Sequence, residues 1–137
     1  MQQYALKPRS ARTIPYSLSP ISAGAGIEIG EDYRDLDLNE FITGGREGFM
    51  MYEVTGDSAS PDIRPGYLII VDTWAEPRNG QYVASVINGL TCVKIFQQST
   101  RGLYLVSKNA EYTPRRVTHQ DSFRVLGVVR GHMAVHR

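Results

Sequence analysis

The sequence predicts a mostly-β domain that follows an extended N-terminal arm. The 137-residue chain contains 13 Gly and 7 Pro, which suits tight turns between strands. Val, Ile, Tyr and Thr, the residues that favour strands, are frequent. Asn88-Gly89 lies between two apolar runs, and this dipeptide is the strongest short-range signal for a β-hairpin. The length and a hydrophobic content of 42% suit one globular domain.

Residues 1–35 are predicted to form the arm. Prolines and a cluster of small residues, 22–26, leave little periodicity in this part of the chain. Its basic start is interpreted as a solvated tail in preference to a phosphate-binding arm. The β domain is predicted over residues 36–137, and strand patterns begin after about residue 47.

A short helix is predicted at residues 35–42. Either Asp35 or Asp37 would cap its first turn, and Gly44-Gly45 would end it. Six strands are then expected, at residues 49–55, 66–72, 82–87, 90–96, 103–107 and 123–135. The run 66–72 is apolar on both faces, which is typical of a strand with neighbours on both sides.

Asn88-Gly89 also fixes the register of its two strands if it forms a two-residue type I′ turn. That register predicts the pairs Ile87–Leu90, Ser85–Cys92 and Val83–Lys94. Lys94 is then the one charged residue on its face, and the opposite face is mostly apolar as well. Burial disfavours the ammonium form and would make this amine a base. The alternative is a lysine near a strand end that reaches water.

Ser58 is the candidate nucleophile that such a base would serve. It follows Gly56 and Asp57 after an expected strand. A tight turn there can expose a hydroxyl and aim the backbone N–H groups of Ser58 and Asp57 at one oxyanion. The alternative is an ordinary polar Gly-Asp-Ser turn. A triad of Ser58, His119 and Asp121 is conceivable but is the weaker interpretation.

Charge and composition limit the other classes of function. A net charge of +1 does not favour direct sequence-specific DNA binding. Cys92 is the single cysteine, so no internal disulfide is expected and a cytoplasmic location is favoured. No apolar run reaches the roughly 18 residues of a membrane span, and no signal peptide is predicted. The three histidines lack metal-ligand spacing, and no cofactor is expected.

Four motifs occur in the order typical of one family. They read Gly56-Asp57-Ser58, then residues 63–72 (IRPGYLIIVD), then residues 78–84 (RNGQYVA), then Thr91-Cys92-Val93-Lys94. Residues 107–114 (SKNAEYTP) and 123–129 (FRVLGVV) extend the match. The chain from about residue 21 onward therefore resembles the LexA/UmuD-like self-cleaving Ser-Lys peptidase family.

The resemblance implies a LexA/signal-peptidase-like β domain with a Ser58–Lys94 catalytic dyad. It also implies self-cleavage at a small-residue bond upstream. Ala23-Gly24 is the first candidate for that bond and Ala25-Gly26 the second. A flexible Gly/Ala linker is the alternative interpretation of this cluster.

Within the family the chain looks most like the UmuD-type polymerase accessory proteins. Residues 37–42 (DLNEFI) resemble a segment of that branch, and fewer residues precede Ala23 than a helix-turn-helix domain needs. The resemblance implies a homodimer, cleavage stimulated by a RecA nucleoprotein filament in the SOS response, and service to a UmuC-type Y-family translesion polymerase. The alternatives are a repressor-like regulator without its DNA-binding part and a binding module that does not cleave.

Two features near Ser58 depart from the family pattern. Many relatives carry Met after the serine, where this chain has Ala59. Ser60-Pro61 also resembles the Ser-x-x-Pro of type I signal peptidases, which use the same dyad but are membrane-anchored. Ala59 bears on the rim of the cleft and leaves the dyad assignment unchanged.

Overall fold

Antiparallel strands dominate the computed structural model, which describes residues 12–28 and 30–136. The chain divides into two compact units with the boundary between Glu47 and Gly48. The elements follow in this order: β1 (Thr13–Ser17), β2 (Tyr33–Asp37), α1 (Leu38–Thr43), β3 (Phe49–Glu53), β4 (Leu68–Asp72), β5 (Tyr82–Ile87), β6 (Leu90–Ser99), β7 (Gly102–Val106), β8 (Arg115–Val117) and β9 (Phe123–Met133). The predicted mostly-β fold class is confirmed.

The first unit contains a two-stranded sheet that the sequence did not predict. β1 pairs with β2 antiparallel, with Thr13 opposite Asp37 and Ser17 opposite Tyr33. Pro15 lies in the middle of β1, opposite Asp35. A proline removes one ladder donor, so it is tolerated where a strand has an open edge, as both strands of a two-stranded sheet do. This proline concealed the strand pattern in the sequence.

Helix α1 begins one residue after its cap. The Asp37 carboxylate accepts a hydrogen bond from the Glu40 N–H at 3.1 Å. Gly44 ends the helix in the left-handed conformation, φ 65°, and its N–H donates to the Glu40 carbonyl. Of the two predicted caps the structure uses Asp37, while Asp35 belongs to β2.

The second unit is a seven-stranded antiparallel sheet in the order β3-β4-β9-β5-β6-β7-β8. β4 lies between β3 and β9 and is almost wholly buried, as its two apolar faces predicted. β6 continues to Ser99, past the expected end at Phe96. The short edge strand β8 was not predicted, because three residues after Pro114 give too little alternation to recognise.

The hairpin of β5 and β6 has the predicted register. Val83 is opposite Lys94, Ser85 opposite Cys92, and Ile87 opposite Leu90. Asn88 and Gly89 both adopt positive φ, 51° and 80°, as a type I′ turn requires. The Val83–Lys94 pair is therefore fixed by a turn whose second residue, Gly89, lies five positions before Lys94.

Two apolar clusters fill the sheet's core. One contains Val54, Ala59, Ile63, Ile69, Val71 and Ala84. The other contains Val83, Phe96, Leu105 and Val128. Successive residues of β5, Val83 and Ala84, belong to different clusters, because side chains alternate across a strand. The first cluster lies beneath the candidate site.

Candidate functional site

One cleft in the second unit is lined by both Ser58 and Lys94. Its volume is about 260 Å³. Apolar side chains of the first core cluster, among them Val54, Ala59 and Ile69, form part of its lining. Two residues 36 positions apart in sequence thus share a partly apolar depression, in which polar groups interact more strongly than in open water.

Ser58 is carried by a turn that follows β3. Gly56 precedes it with φ 78°, a conformation that side chains other than glycine rarely adopt. The Ser60 N–H donates to the Asp57 carbonyl at 3.0 Å, and the Ile63 N–H donates to the Ala59 carbonyl at 2.9 Å. Ala59 and Ile63 are buried and anchor the turn in the core, while Ser58 stays half-buried at the cleft.

The backbone N–H groups of Asp57 and Ser58 are available at the same turn. Within the part of the chain that the structure describes, neither donates to a protein acceptor. Asp57 is exposed and Ser58 half-buried, and both line the cleft. Unused donors beside a nucleophile are what stabilisation of an oxyanion needs.

Lys94 extends from β6 and contacts polar and aromatic side chains that the sequence did not predict. Its Nζ donates to Ser107 Oγ at 2.7 Å and lies 5.1 Å from the centroid of the Tyr112 ring. The side chain is half-buried. The surroundings of Lys94 are more polar than the mostly apolar strand pattern predicted, because the end of β7 brings a hydroxyl opposite Lys94.

The segment that follows β7 also holds the serine turn. The Asn109 N–H donates to the Ser58 carbonyl at 3.1 Å, and Asn109 Nδ2 donates to the Asp57 carbonyl at 3.2 Å. Tyr112 Oη donates to Asp57 Oδ1 at 2.6 Å. This hydrogen bond, together with the negative charge of Asp57, raises the pKa of Tyr112. Residues 107–112 thus contact both Lys94 and the turn of Ser58.

The bond predicted to be cut lies in the first unit, between β1 and β2. Ala23 and Gly24 are exposed. Ser22 Oγ accepts hydrogen bonds from the Gly24 N–H at 3.0 Å and from the Gly26 N–H at 3.3 Å. Both candidate bonds, Ala23-Gly24 and Ala25-Gly26, therefore fall within one small turn around Ser22.

A family model described as Peptidase S24-like matches residues 15–130. The match covers most of both units, from β1 to β9. The chain belongs to the Peptidase S24-like family.

Relatives of this Peptidase S24-like chain include three LexA repressors. That of Desulfatibacillum aliphaticivorans is 34% identical over 81% of the chain. LexA repressor 1 of Xanthomonas campestris pv. campestris is 31% identical over 78%, and the LexA repressor of Syntrophobacter fumaroxidans is 30% identical over 88%. The matches cover 56%, 55% and 58% of those proteins, so the chain spans a little over half of each relative's length.

The alternative triad partners of Ser58 in this Peptidase S24-like chain, His119 and Asp121, lie outside the cleft. The Asp121 carboxylate accepts hydrogen bonds from the Thr118 N–H, Asn88 Nδ2 and Arg115. Neither His119 nor Asp121 lines the cleft of Ser58. Across residues 12–28 and 30–136, no group of His, Cys, Asp or Glu has the geometry to hold a metal ion. In the same ranges no helix is long and apolar enough to cross a bilayer.

Sequence reasoning missed the roles of Ser107, Asn109 and Tyr112 in this Peptidase S24-like site. They were noticed only as part of a matching motif. The available signal was a run of polar residues directly after an apolar strand, a position where side chains lie at a sheet edge and bond to neighbouring loops.

Proposed function

We propose that this chain is a self-cleaving serine peptidase in which Ser58 is the nucleophile and Lys94 the general base. The observation that carries the proposal is that both side chains line one cleft. Membership of the Peptidase S24-like family supports it. The chemistry fits the residue types, since a serine hydroxyl needs a neighbouring base and a neutral amine can act as one.

The first half of the reaction forms an acyl-enzyme. Neutral Lys94 Nζ removes the proton from Ser58 Oγ as that oxygen bonds to the carbonyl carbon of Ala23. The electron pair of the C=O double bond moves to the carbonyl oxygen, which the N–H groups of Ser58 and Asp57 stabilise. The pair then returns, the bond to the Gly24 nitrogen breaks, and the Lys94 ammonium gives its proton to that nitrogen.

Water completes the reaction. Neutral Lys94 takes a proton from a water molecule as the water oxygen bonds to the acyl carbon. Collapse of the second tetrahedral intermediate breaks the ester bond, and the ammonium returns its proton to Ser58 Oγ. The products are an Ala23 carboxylate and a new amino terminus at Gly24, and the enzyme ends in its starting protonation state.

Incubation of the purified full chain at about pH 10 tests the proposal, because a pH close to the ordinary pKa of lysine raises the neutral fraction of the amine. Intact mass and N-terminal analysis should show time-dependent loss of the arm. Ser58→Ala should keep the fold and abolish the cut, since loss of one hydroxyl at a surface turn changes stability little. A wild-type chain that never cleaves would identify a binding module with an idle dyad instead.

For the biological role we propose a UmuD-like accessory subunit of a UmuC-type Y-family translesion polymerase. Cleavage would be stimulated by a RecA nucleoprotein filament during the SOS response, in a cytoplasmic homodimer. The family-like segment at residues 37–42 supports this assignment, as does the modest net charge of +1, which does not favour direct DNA binding.

The second candidate role is that of a repressor-like regulator without its DNA-binding part, and the similarity to LexA repressors favours it. Capture assays separate the two roles. The cleaved chain should retain a Y-family polymerase and should show no preference for an operator duplex over a scrambled duplex of equal length. A cleaved chain that fails to retain the polymerase would contradict the accessory role and favour the regulator.

A further inference from the structure

The amine of Lys94 has a hydroxyl partner that does not belong to the Ser58–Lys94 pair. In the β6–β7 ladder Ile95 is opposite Val106, so the next pair places Ser107 opposite Lys94. The 2.7 Å bond from Nζ to Ser107 Oγ is short for a hydrogen bond from nitrogen. Ser107 is half-buried and does not line the cleft.

We propose that Ser107 is a positioning residue that orients the Lys94 amine toward Ser58. This role rests on the proposed function and adds a third side chain to it. A neutral amine has two N–H donors and one lone pair. Donation of one N–H to Ser107 Oγ fixes the rotation about the last bond of the lysine side chain. The lone pair is then held in one direction, which a freely rotating amine would not maintain.

Other groups near the amine do not supply this restraint. Tyr112 presents the face of its ring, which attracts the ammonium form but imposes little direction on single N–H bonds. The titratable side chains that share the cleft with Lys94 are Tyr52, Glu53, Asp57, Cys92 and Tyr112. Asp57 is bonded to Tyr112 Oη, and the Cys92 thiol lies 3.3 Å from Ser85 Oγ. Ser107 is thus the hydroxyl that directs the amine.

Two kinetic effects distinguish orientation from simple structural support. Without Ser107 Oγ the amine rotates, and the self-cleavage rate at its alkaline plateau should fall by about tenfold to a hundredfold. A hydrogen bond to the charged form also favours that form, so its loss lets Lys94 release its proton more readily. The pH of half-maximal rate should therefore move downward in Ser107→Ala even as the plateau falls.

The experiment measures self-cleavage of the full chain by intact mass from about pH 6 to pH 10.5. It compares wild type with Ser107→Ala, Ser107→Thr and a matched control, Ser99→Ala. Ser99 lies on the same hairpin, and its hydroxyl accepts a hydrogen bond from the Arg101 N–H. Ser107→Thr keeps the hydroxyl and should stay within about threefold of wild type, and Ser99→Ala should match wild type.

The results decide the matter in each case. The positioning role is supported if Ser107→Ala has a lower plateau of the self-cleavage rate and a lower pH of half-maximal rate. Ser107→Thr and Ser99→Ala should show neither change. An unchanged plateau and midpoint in Ser107→Ala overturns that role while leaving self-cleavage established. The positioning role is also overturned if Ser107→Thr cleaves itself as slowly as Ser107→Ala. A wild-type chain that does not cleave overturns the proposed function and the role of Ser107 together.

Thermal unfolding of each variant shows whether a slower rate comes from partial unfolding of the chain. If Ser107→Ala melts well below Ser99→Ala at neutral pH, the rates are compared at a temperature where both are folded. The shift in the pH midpoint then carries the test, because partial unfolding lowers the plateau without moving the midpoint to lower pH.

Discussion

The amine of Lys94, on β6, donates a hydrogen bond to the Ser107 hydroxyl and lies over the ring of Tyr112. Lys94 is half-buried on β6 and lines the same cleft as Ser58. The proposed general base for Ser58 must share a cleft with that serine, and Lys94 does so.

Substitution of Lys94 tests whether a removable proton is essential. Lys94→Arg should not self-cleave, because a guanidinium stays charged at any usable pH. Lys94→Met should be equally inactive, because it has no basic atom. The wild-type rate should rise by about tenfold per pH unit while the amine is still charged and then level off. A pH–rate profile of all three chains measures this, and an active Arg variant would remove Lys94 from the mechanism.

Tyr112 links the alkaline behaviour of the site to Asp57. The hydrogen bond from Tyr112 Oη to Asp57 raises the pKa of Tyr112 above its usual 10.0. A raised folded-state pKa stabilises the fold below the unfolded value, and that stabilisation is lost as the pH rises through the folded value. The hydrogen bond from Tyr112 to the turn of Ser58 should therefore persist to a higher pH than an ordinary tyrosine would allow.

Tyr112→Phe checks this expectation. The variant keeps the ring beside Lys94 and removes the bond to Asp57. Its thermal midpoint should be below that of wild type at pH 8, and the difference should shrink well above pH 10 as the wild-type tyrosine ionises. Tyr104→Phe, on β7, is the matched control for loss of one phenol. A difference that grows with pH would contradict the assignment.

At the scale of elements, the turn of the β5–β6 hairpin is tied to the loop before β9. Asn88 exchanges bonds with Ser122: its N–H donates to the Ser122 carbonyl at 2.7 Å, and its Oδ1 accepts the Ser122 N–H at 2.9 Å. Asn88 Nδ2 donates to Asp121. Because β5 also pairs with β9, these bonds connect the hairpin turn with the start of the neighbouring strand and support the register that places Lys94.

Asp121 makes this connection sensitive to acid. A hydrogen bond from the Thr118 N–H, supported by Asn88 and then Arg115, lowers the pKa of Asp121 from 3.8 to about 2. A depressed folded-state pKa stabilises the fold above the unfolded value, and the stabilisation is lost as the pH falls toward 2. The stability gap between wild type and Asp121→Asn should be present at pH 7 and should close between about pH 4 and pH 2.

Urea unfolding at several pH values measures that gap. Glu76→Gln removes an exposed carboxylate between β4 and β5 and controls for the general effect of one lost negative charge. The assignment fails if the gap for Asp121→Asn stays constant from pH 7 to pH 2, or if Glu76→Gln shows the same closing gap.

At the scale of the whole molecule, the candidate nucleophile and the candidate scissile bond belong to different units. The turn around Ser22 presents two bonds of equal residue type. Small side chains suit both, because a scissile carbonyl must come within about 3 Å of the serine oxygen. The new amino terminus therefore reports which bond enters the cleft.

We expect that terminus to be Gly24. Ala23→Trp should block the cut at this bond, because a large side chain prevents the close approach, whereas Ala25→Trp should leave it in place. N-terminal sequencing of the product distinguishes the cases. A terminus at Gly26 in wild type would move the site by two residues, and a terminus beyond Asp35 would contradict the arm as substrate.

The sequence by itself determined the features that depend on local chemistry. Asn88-Gly89 predicted a hairpin and its register, because few other dipeptides accept two positive φ angles. The sequence limited the N-terminal cap of α1 to Asp35 or Asp37 and placed the end of the helix at Gly44-Gly45, because caps satisfy unpaired backbone groups. The order of motifs from Gly56 to Lys94 indicated the family.

Only the tertiary structure decided what surrounds the two candidate catalytic side chains. Ser107, Asn109 and Tyr112 reach Lys94 and the turn of Ser58 across distances of 13 to 55 positions in the chain. The pairing of β1 with β2 likewise depends on contacts across a long loop. Neither leaves a periodic signal, because such contacts are set by where strands end in space and by which polar groups then find partners.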